Sequence, residues 1–359
     1  MNQSTALKII ENYRAVKSGK KLFIAGTGAV GGTLLKQIQS LNGLNSLQII
    51  GICNSSHQKF YYNDENVRSA DLYQGAERKN WNKIIDRLFN HEPGSVIFVD
   101  ATGSAETADL YPELLRKEIH IVTPSKLANS RNFSRFKELH QIAEEKGVYF
   151  RYETNVGAGL PVISTLKNMI ETGDEIVQIR GVLSGTLTYI FSELDKGGFF
   201  SETVARARTL GYAEPDPRDD LSGEDVARKF LILARTIGLQ TERDEISVEN
   251  LVPESLRTVS GNQFLEQLHQ ADDEWRNRFK KVKENGHTLR YTGLLKENSV
   301  TVGVEPVPLN SPFGRLAYTN NLIEIKSRRY YDQPLIIQGP GAGKEVTAAG
   351  VLADIRAIV

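Results

Sequence analysis

The sequence predicts a doubly wound parallel α/β domain joined to an α+β domain, and three observations predict it. Short apolar runs alternate with amphipathic helical segments as far as residue 153. A glycine turn links the first of those apolar runs to the helix that follows it. Beyond about residue 154 the helices lengthen, and strands cluster late, near 288–338, with short connections that suit a mixed or antiparallel sheet.

Each element follows from its pattern. Residues 4–17 place Ala6, Ile9, Ile10, Tyr13 and Val16 at helical spacing and predict a short amphipathic helix. KLFIAG (21–26) is an apolar run ending in glycine, as a buried parallel strand does, and AVGGTLLKQIQSL follows as a helix. LQIIGIC (47–53), SVIFVDAT (95–102), HIVTP (120–124) and GVYFRYE (147–153) read as the next four strands. Helices are expected between them over 78–90, 106–117 and 132–146. In the second domain, helices are expected over 160–172, 184–195, 201–210, 222–238 and 262–283, with strands at EIVQIRGVL, TLRYTGLL, SVTVGVEPV, NLIEIKS and PLIIQG. The last segment, GKEVTAAGVLADIRAIV, is apolar on one face and is expected to return to the first domain. The expected division is 1–19, an N-terminal helix or linker remnant; 20–153 with 341–359, a dinucleotide-binding domain; and 154–340, a second domain.

Bulk composition narrows the function classes. Over 359 residues, Lys plus Arg and Asp plus Glu are each 44, a net charge of zero that argues against a polyanion surface and hence against nucleic acid as partner. No apolar run reaches bilayer length, and the first residues lack a signal-peptide core. The single cysteine, Cys53, excludes an internal disulfide and suits a reducing compartment, so a cytoplasmic protein is expected. The six histidines are scattered without zinc-ligand spacing. QGPGAGKE resembles a phosphate loop, but Gln338 stands where its first glycine belongs and Glu345 where Ser or Thr belongs.

GTGAVGG sets Gly26, Gly28 and Gly31 in G-x-G-x-x-G register, with Gly32 as a fourth, between a buried strand and a helix. Glycines there permit a tight turn and close approach of backbone to a pyrophosphate, which the N–H groups of the following helix, from Ala29 and Val30 onward, would receive. A nicotinamide dinucleotide is the expected cofactor, with a Rossmann-like sheet around it. The second strand ends in GICNSSHQK, with no acidic residue to bind the ribose hydroxyls of NAD. Asn54, Ser55 and Ser56 can donate to a 2′-phosphate and Lys59 can add charge, which favours NADP, with NAD as the alternative.

Such a cofactor implies hydride transfer, a small carbonyl or alcohol, and one proton to manage. Lys126, in TPSKLANS, lies where ligands of parallel sheets bind, although a surface lysine at a helix start fits the same position. The stretch GYAEPDPRDDLSGEDVARKF (211–230) holds six carboxylates. SGED predicts a capping box with Ser222 as N-cap, and Asp225 and Lys229 are spaced for a helix ion pair. Both precede apolar positions, Val226 and Phe230, and so lie at the edge of a buried face, where partial burial suits a lysine to proton transfer. Pattern alone favours the capped helix narrowly over the catalytic reading.

GTGAVGG, TPSKLAN, ETNVGAGLPVI, GVLSGTLTYIFSEL, GYAEPDPRDDLSGEDVARKFLILAR and GPGAGKEVTAAGVLADI together resemble homoserine dehydrogenases, in particular the dehydrogenase half of bifunctional aspartokinase–homoserine dehydrogenases. The likeness runs from about residue 20 to the C-terminus. It implies NAD(P)-dependent interconversion of L-aspartate 4-semialdehyde and L-homoserine, a step toward threonine, methionine and isoleucine. By resemblance Lys229 and Asp225 are the catalytic pair, and Lys126 lies at cofactor and substrate. Glu214, Asp220, Thr186, Gly185 and Tyr212 hold the amino acid, where carboxylates suit an α-ammonium group. Gly26, Gly28, Ala29, Val30, Gly31, Asn54, Ser55, Thr102 and Gly343 hold the cofactor. Backbone oxygens of Glu153, Val156, Ala158 and Leu160 resemble a Na+ or K+ site. Ser125 departs from the asparagine common in the family. The resemblance also implies a homodimer through the second domain and a possible fused aspartokinase in the full-length product, whereas feedback control by such a domain is not expected of this chain alone.

Two other classes compete. An acylating semialdehyde dehydrogenase needs a nucleophilic cysteine, and only Cys53, at the adenosine end of the sheet, is available. A non-catalytic dinucleotide sensor would be marked by loss of the lysine and carboxylate positions, which are all present.

Overall fold

A computed structural model describes residues 19–41, 47–62 and 67–359; the helix expected over 4–17 lies outside them. The chain divides into two compact units, one running to Asn155 and taking in Gly343–Val359, the other Val156–Ala342.

The first unit is built on a seven-stranded sheet of order β4-β3-β2-β1-β5-β6-β7. Its parallel part comprises β1 (Lys20–Ala25), β2 (Leu47–Cys53), β5 (Val96–Asp100), β6 (His120–Val122) and β7 (Phe150–Arg151). The chain passes from β1 to β2 on one side and then to β5 on the other, so the order reverses between β1 and β5, the place where such sheets bind ligands. Alternation sends Leu22 and Ile24 to one face and Phe23 to the other. On the first face they join Leu34, Leu35 and Ile38 of the helix Ala29–Ser40, and Val351, Leu352 and Ile355 of the final helix Lys344–Arg356. On the second, Phe23 stacks on Phe98, and Trp81 tilts against Phe98. Burial on both faces is why these strands read as continuous apolar runs.

Local structure corrects the sequence reading in several places. The edge strands β3 (His57–Phe60) and β4 (Glu77–Arg78) extend the sheet antiparallel to β2 and were not anticipated, being short and polar. The helix expected from 78 begins at Trp81, because Asn80 caps it by accepting the Lys83 N–H. The helix expected over 106–117 breaks into Ala105–Asp109 and Tyr111–Arg116, with Pro112 inside the first turn of the second piece. The strand expected over 147–153 shrinks to Phe150–Arg151, because Gly147 is left-handed and Glu153–Asn155 turns into a 3-10 helix.

The second unit carries a mixed six-stranded sheet of order β13-β12-β8-β10-β11-β9. Its strands are β8 (Ile176–Val182), β9 (Ser247–Val248), β10 (His287–Lys296), β11 (Ser299–Pro308), β12 (Asn320–Ser327) and β13 (Leu335–Pro340); only the β11–β9 pair is parallel. Gly293 on β10 is a packing requirement, since a Cβ there would lie 2.1 Å from a Phe230 ring carbon. Its absence lets the helix Glu224–Thr236 settle on the sheet and fixes the height of Lys229, one residue before Phe230. The helix expected over 262–283 is interrupted by a 3-10 turn, Leu268–Ala271, between Gly261–Gln267 and Asp272–Lys283. Arg290, a buried cation on β10, donates to the carbonyls of Phe313, Gly314 and Leu316 and so pins the connection between β11 and β12.

Candidate active site

In the first unit the glycine turn leaves β1 at its carboxyl end. Gly26 has φ +91, and a Cβ on it would meet the Ala101 carbonyl at 2.6 Å; a Cβ on Gly31 would lie 1.8 Å from the Gly26 oxygen. These two glycines are required by the protein's own packing. Gly28 is different: a Cβ there meets nothing within 4 Å. It caps the helix Ala29–Ser40 without a side-chain partner, so the N–H groups of Ala29, Val30 and Gly31 are left to a ligand, the arrangement that receives a pyrophosphate.

The end of β2 closes on itself. The Asn54 side-chain oxygen accepts from the Ser56 and His57 N–H groups at 2.9 and 2.7 Å and from the Ser56 hydroxyl at 3.2 Å, which leaves the Asn54 amide NH2 as its donor to a ligand. The β3–β4 ribbon adds basic residues here that the sequence reading passed over. Arg78 pairs in register with His57, and the Lys79 N–H donates to the Ser56 carbonyl. Only recognising residues 77–78 as a strand would have shown it. Thr102 follows β5, and Lys126 follows β6 at the N-terminus of the short helix Leu127–Ser130, both at the carboxyl edge. Gly343, at φ +130, caps the final helix.

The second unit assembles the other predicted residues. Gly185 opens the helix Gly185–Asp195, capped by Ser184, and a Cβ on it would sit 3.0 Å from the Thr319 carbonyl. The Thr186 hydroxyl lies 2.6 Å from the Tyr212 carbonyl and 2.8 Å from Asp220 Oδ1, and the Glu214 N–H donates to Asp220 Oδ2 at 2.8 Å. One hydroxyl proton thus serves two acceptors, and Asp220 is poorly compensated. Its carboxyl pKa is raised by desolvation first, with Glu214 and Asp225 adding repulsion, against the pull of its hydrogen bonds.

Lys229 is 9 % exposed. Its ammonium donates to the Leu183 carbonyl at 2.7 Å and pairs with Asp225 Oδ2 at 2.7 Å. The expected capping box is not what starts this helix. Gly223, left-handed at φ +76, is the N-cap without side-chain help, and the Ser222 hydroxyl instead donates to the Asp219 carbonyl and accepts the Glu224 N–H. The reason is the short helix Arg218–Leu221 immediately before it: the chain must reverse within two residues, and Gly223 is pressed so close to Tyr291 that a Cβ would overlap its hydroxyl. Of the six carboxylates, Asp216 is neutralised by Arg218 and Glu224 by Arg243. Asp225 pairs with Lys229, and Glu214 and Asp225 both act on Asp220 as repelling charges, leaving an excess of negative charge there suited to an ammonium ligand.

The remaining predicted positions lie between these groups in sequence. Glu153 donates its N–H to Asp354 of the final helix, within the first unit. Val156, Ala158 and Leu160 begin the second unit in a turn with Gly157 and Ala158 both left-handed. Among the described residues no cluster of side chains is arranged to hold a metal ion. Cys53 is fully buried and its thiol pKa is pushed up to about 12 by desolvation, which removes the acylating reading. No described helix is long and apolar enough to cross a membrane.

A glycine-turn sheet whose order reverses at the turn, followed by an α+β unit with a lysine–carboxylate cluster, defines the class of two-domain dinucleotide-binding proteins. Residues 26–153 match the NAD binding domain of homoserine dehydrogenase and residues 161–356 match homoserine dehydrogenase. The chain is 36% identical to the homoserine dehydrogenase of Schizosaccharomyces pombe, covering 96% of each. It is 37% identical over 98% of its length to the bifunctional aspartokinase/homoserine dehydrogenase of Haemophilus influenzae, but spans only 45% of that relative. Among solved structures, a Candida auris protein of unknown function matches with a TM-score of 0.89 at 34% identity, covering 95% of this chain and 98% of that one. The chain belongs to the homoserine dehydrogenase family.

Proposed function

We propose that this chain interconverts L-aspartate 4-semialdehyde and L-homoserine, with Lys229 as the proton donor and acceptor. The observation that carries the reading is the anchoring of the Lys229 ammonium. An ammonium has three N–H donors. Leu183 O and Asp225 Oδ2 take two of them, which fixes the direction of the third for a substrate carbonyl oxygen. Bound NAD(P)H supplies the hydride to the aldehyde carbon. Lys229 gives its proton to the oxygen as the alcohol forms, and half-exposed Asp225 keeps the amine positioned while solvent restores the proton. Glu214 and Asp220 hold the substrate's α-ammonium group, with Thr186 orienting Asp220 and with Gly185 and Tyr212 shaping the seat. Gly26, Gly28, Ala29, Val30, Gly31, Thr102 and Gly343 hold the cofactor, and Lys126 supplies charge where cofactor and substrate meet. Donors at Asn54, Ser55 and Ser56, with Lys59 and the nearby Arg78, favour the 2′-phosphate of NADP over NAD.

Ala158 is a non-glycine residue held at φ +53, a strain that backbone coordination of Na+ or K+ by Glu153, Val156, Ala158 and Leu160 would account for. A cytoplasmic homodimer, in some gene products fused to an aspartokinase, completes the reading. The test is oxidation of NADPH and of NADH coupled to aspartate semialdehyde. Lys229→Ala is expected to lower kcat by at least about 10²-fold with the fold intact by circular dichroism. Unchanged turnover in that variant would sink the assignment.

A further inference from the structure

Strand β5 ends in a carboxylate with no cation among its hydrogen-bond donors. Asp100 is fully buried. Its Oδ1 accepts the Thr102 N–H at 2.8 Å and the Thr102 hydroxyl at 2.6 Å, and its Oδ2 accepts the Tyr111 hydroxyl at 2.6 Å. All three donors are neutral, and burial pushes the carboxyl pKa up against their pull. A buried carboxylate so held is costly to the fold, and a strand end could be closed without one.

Its donors indicate what it does. The Thr102 hydroxyl, while donating to Asp100, accepts the Ser104 N–H at 3.0 Å and lies 3.2 Å from the Thr107 hydroxyl. That hydroxyl is fully engaged inside the protein, so the turn presents backbone rather than side chain outward. Gly103, at φ +66, forms its crest, and a Cβ built there meets nothing within 4 Å. The Asp100 main chain ties the same turn to its neighbour. Its carbonyl accepts the Thr123 hydroxyl at 2.9 Å, and Thr123 Oγ1 accepts the Ser125 N–H at 3.0 Å, one residue before Lys126. Asn155 Nδ2 donates to the Thr123 carbonyl at 3.0 Å and fixes that turn from the other side.

We propose that Asp100 is a positioning residue: through the Thr102–Ser104 turn it sets the seat of the cofactor's nicotinamide end relative to Lys126, and it leaves the pyrophosphate cradle at Gly28 untouched. The inference rests on the reading that Thr102 and Lys126 lie at the cofactor. Asp100→Asn keeps the shape but turns one acceptor into a donor facing another donor. Thr102→Val removes the hydroxyl from the same node without altering Asp100.

The experiment compares the binding of NADPH with that of 2′-phospho-ADP-ribose, which lacks only the nicotinamide, to wild type, to both single variants and to the double variant. Each single variant is expected to weaken NADPH about tenfold and to bind 2′-phospho-ADP-ribose within about twofold of wild type. The double variant is expected to lose little more than either single one, because both break one node. Equal weakening of both ligands, unchanged NADPH binding, or additive losses in the double variant would overturn the proposal. Should Asp100→Asn fail to fold, Thr102→Val carries the same two-ligand comparison alone. Wild type that binds neither ligand would overturn the cofactor reading and this inference with it, a result separable from any pattern among variants.

Discussion

Asp220 and Lys229 make opposite electrostatic bargains within one short stretch. Lys229 is buried with a carboxylate and a carbonyl on it; Asp220 is half-buried near two further carboxylates and is compensated by a shared hydroxyl and one N–H. Its raised pKa has a definite sign. Ionised Asp220 attracts the substrate ammonium, so KM for homoserine should climb as pH falls through that pKa, which lies above the ordinary aspartate value. Glu214→Gln removes one repelling neighbour and should move the acid limb to lower pH even as it raises KM overall, which a pH profile of kcat/KM in the two proteins checks. Linkage runs the same way for stability. A raised carboxyl pKa stabilises the fold below the unfolded value, and that contribution is lost as pH rises through the folded one, so ionised Asp220 is tolerated for binding rather than for folding.

At the scale of elements, the glycine turn separates packing from function. Gly31→Ala would force a Cβ onto the Gly26 carbonyl and should unfold or grossly destabilise the first unit, by about 3 kcal/mol or more. Gly28→Ala meets no protein atom, so the melting temperature should stay within a few degrees while cofactor affinity falls about tenfold or more. Calorimetric melting with cofactor titration distinguishes the two. The turn and the five parallel strands were legible in the sequence because each rests on strong local constraints, namely glycine sterics and continuous apolar runs. The β3–β4 ribbon was not, since strands of four and two mostly polar residues carry no readable periodicity. The start of the Glu224–Thr236 helix was misread for a related reason. Ser222 has the right chemistry for a cap, but Tyr291, distant in sequence, decides that Gly223 takes the position. The lysine–carboxylate spacing of the candidate site was visible, whereas the anchor of Lys229 on Leu183 and the closed network around Asp100 depend on tertiary neighbours that no local pattern announces.

For the whole molecule, the division into units does not follow the order of the chain. The final helix contributes Val351, Leu352 and Ile355, and the turn after it Ile358, to the core beneath β1 and β5, and Asp354 of the helix receives the Glu153 N–H. Deleting residues 343–359 removes those side chains together, and each large aliphatic loss in a core costs about 2–5 kcal/mol. Such a truncation should abolish dinucleotide binding and the cooperative melting of the first unit. The second unit, continuous from Val156 to Ala342, should retain its far-ultraviolet circular dichroism and a transition of its own. Limited proteolysis of the truncated protein, followed by mass analysis of the surviving fragment, reads this directly.

That discontinuity also sets a schedule. On the ribosome the residues of the first unit emerge before those of the second, yet its core stays incomplete until residues 343–359 have left the exit tunnel, whereas the second unit needs nothing made after Ala342. The part synthesised first is thus finished last. Its apolar strands must wait, only partly covered on one face, through the synthesis of the whole second unit, which makes that interval the one in which a chaperone matters most.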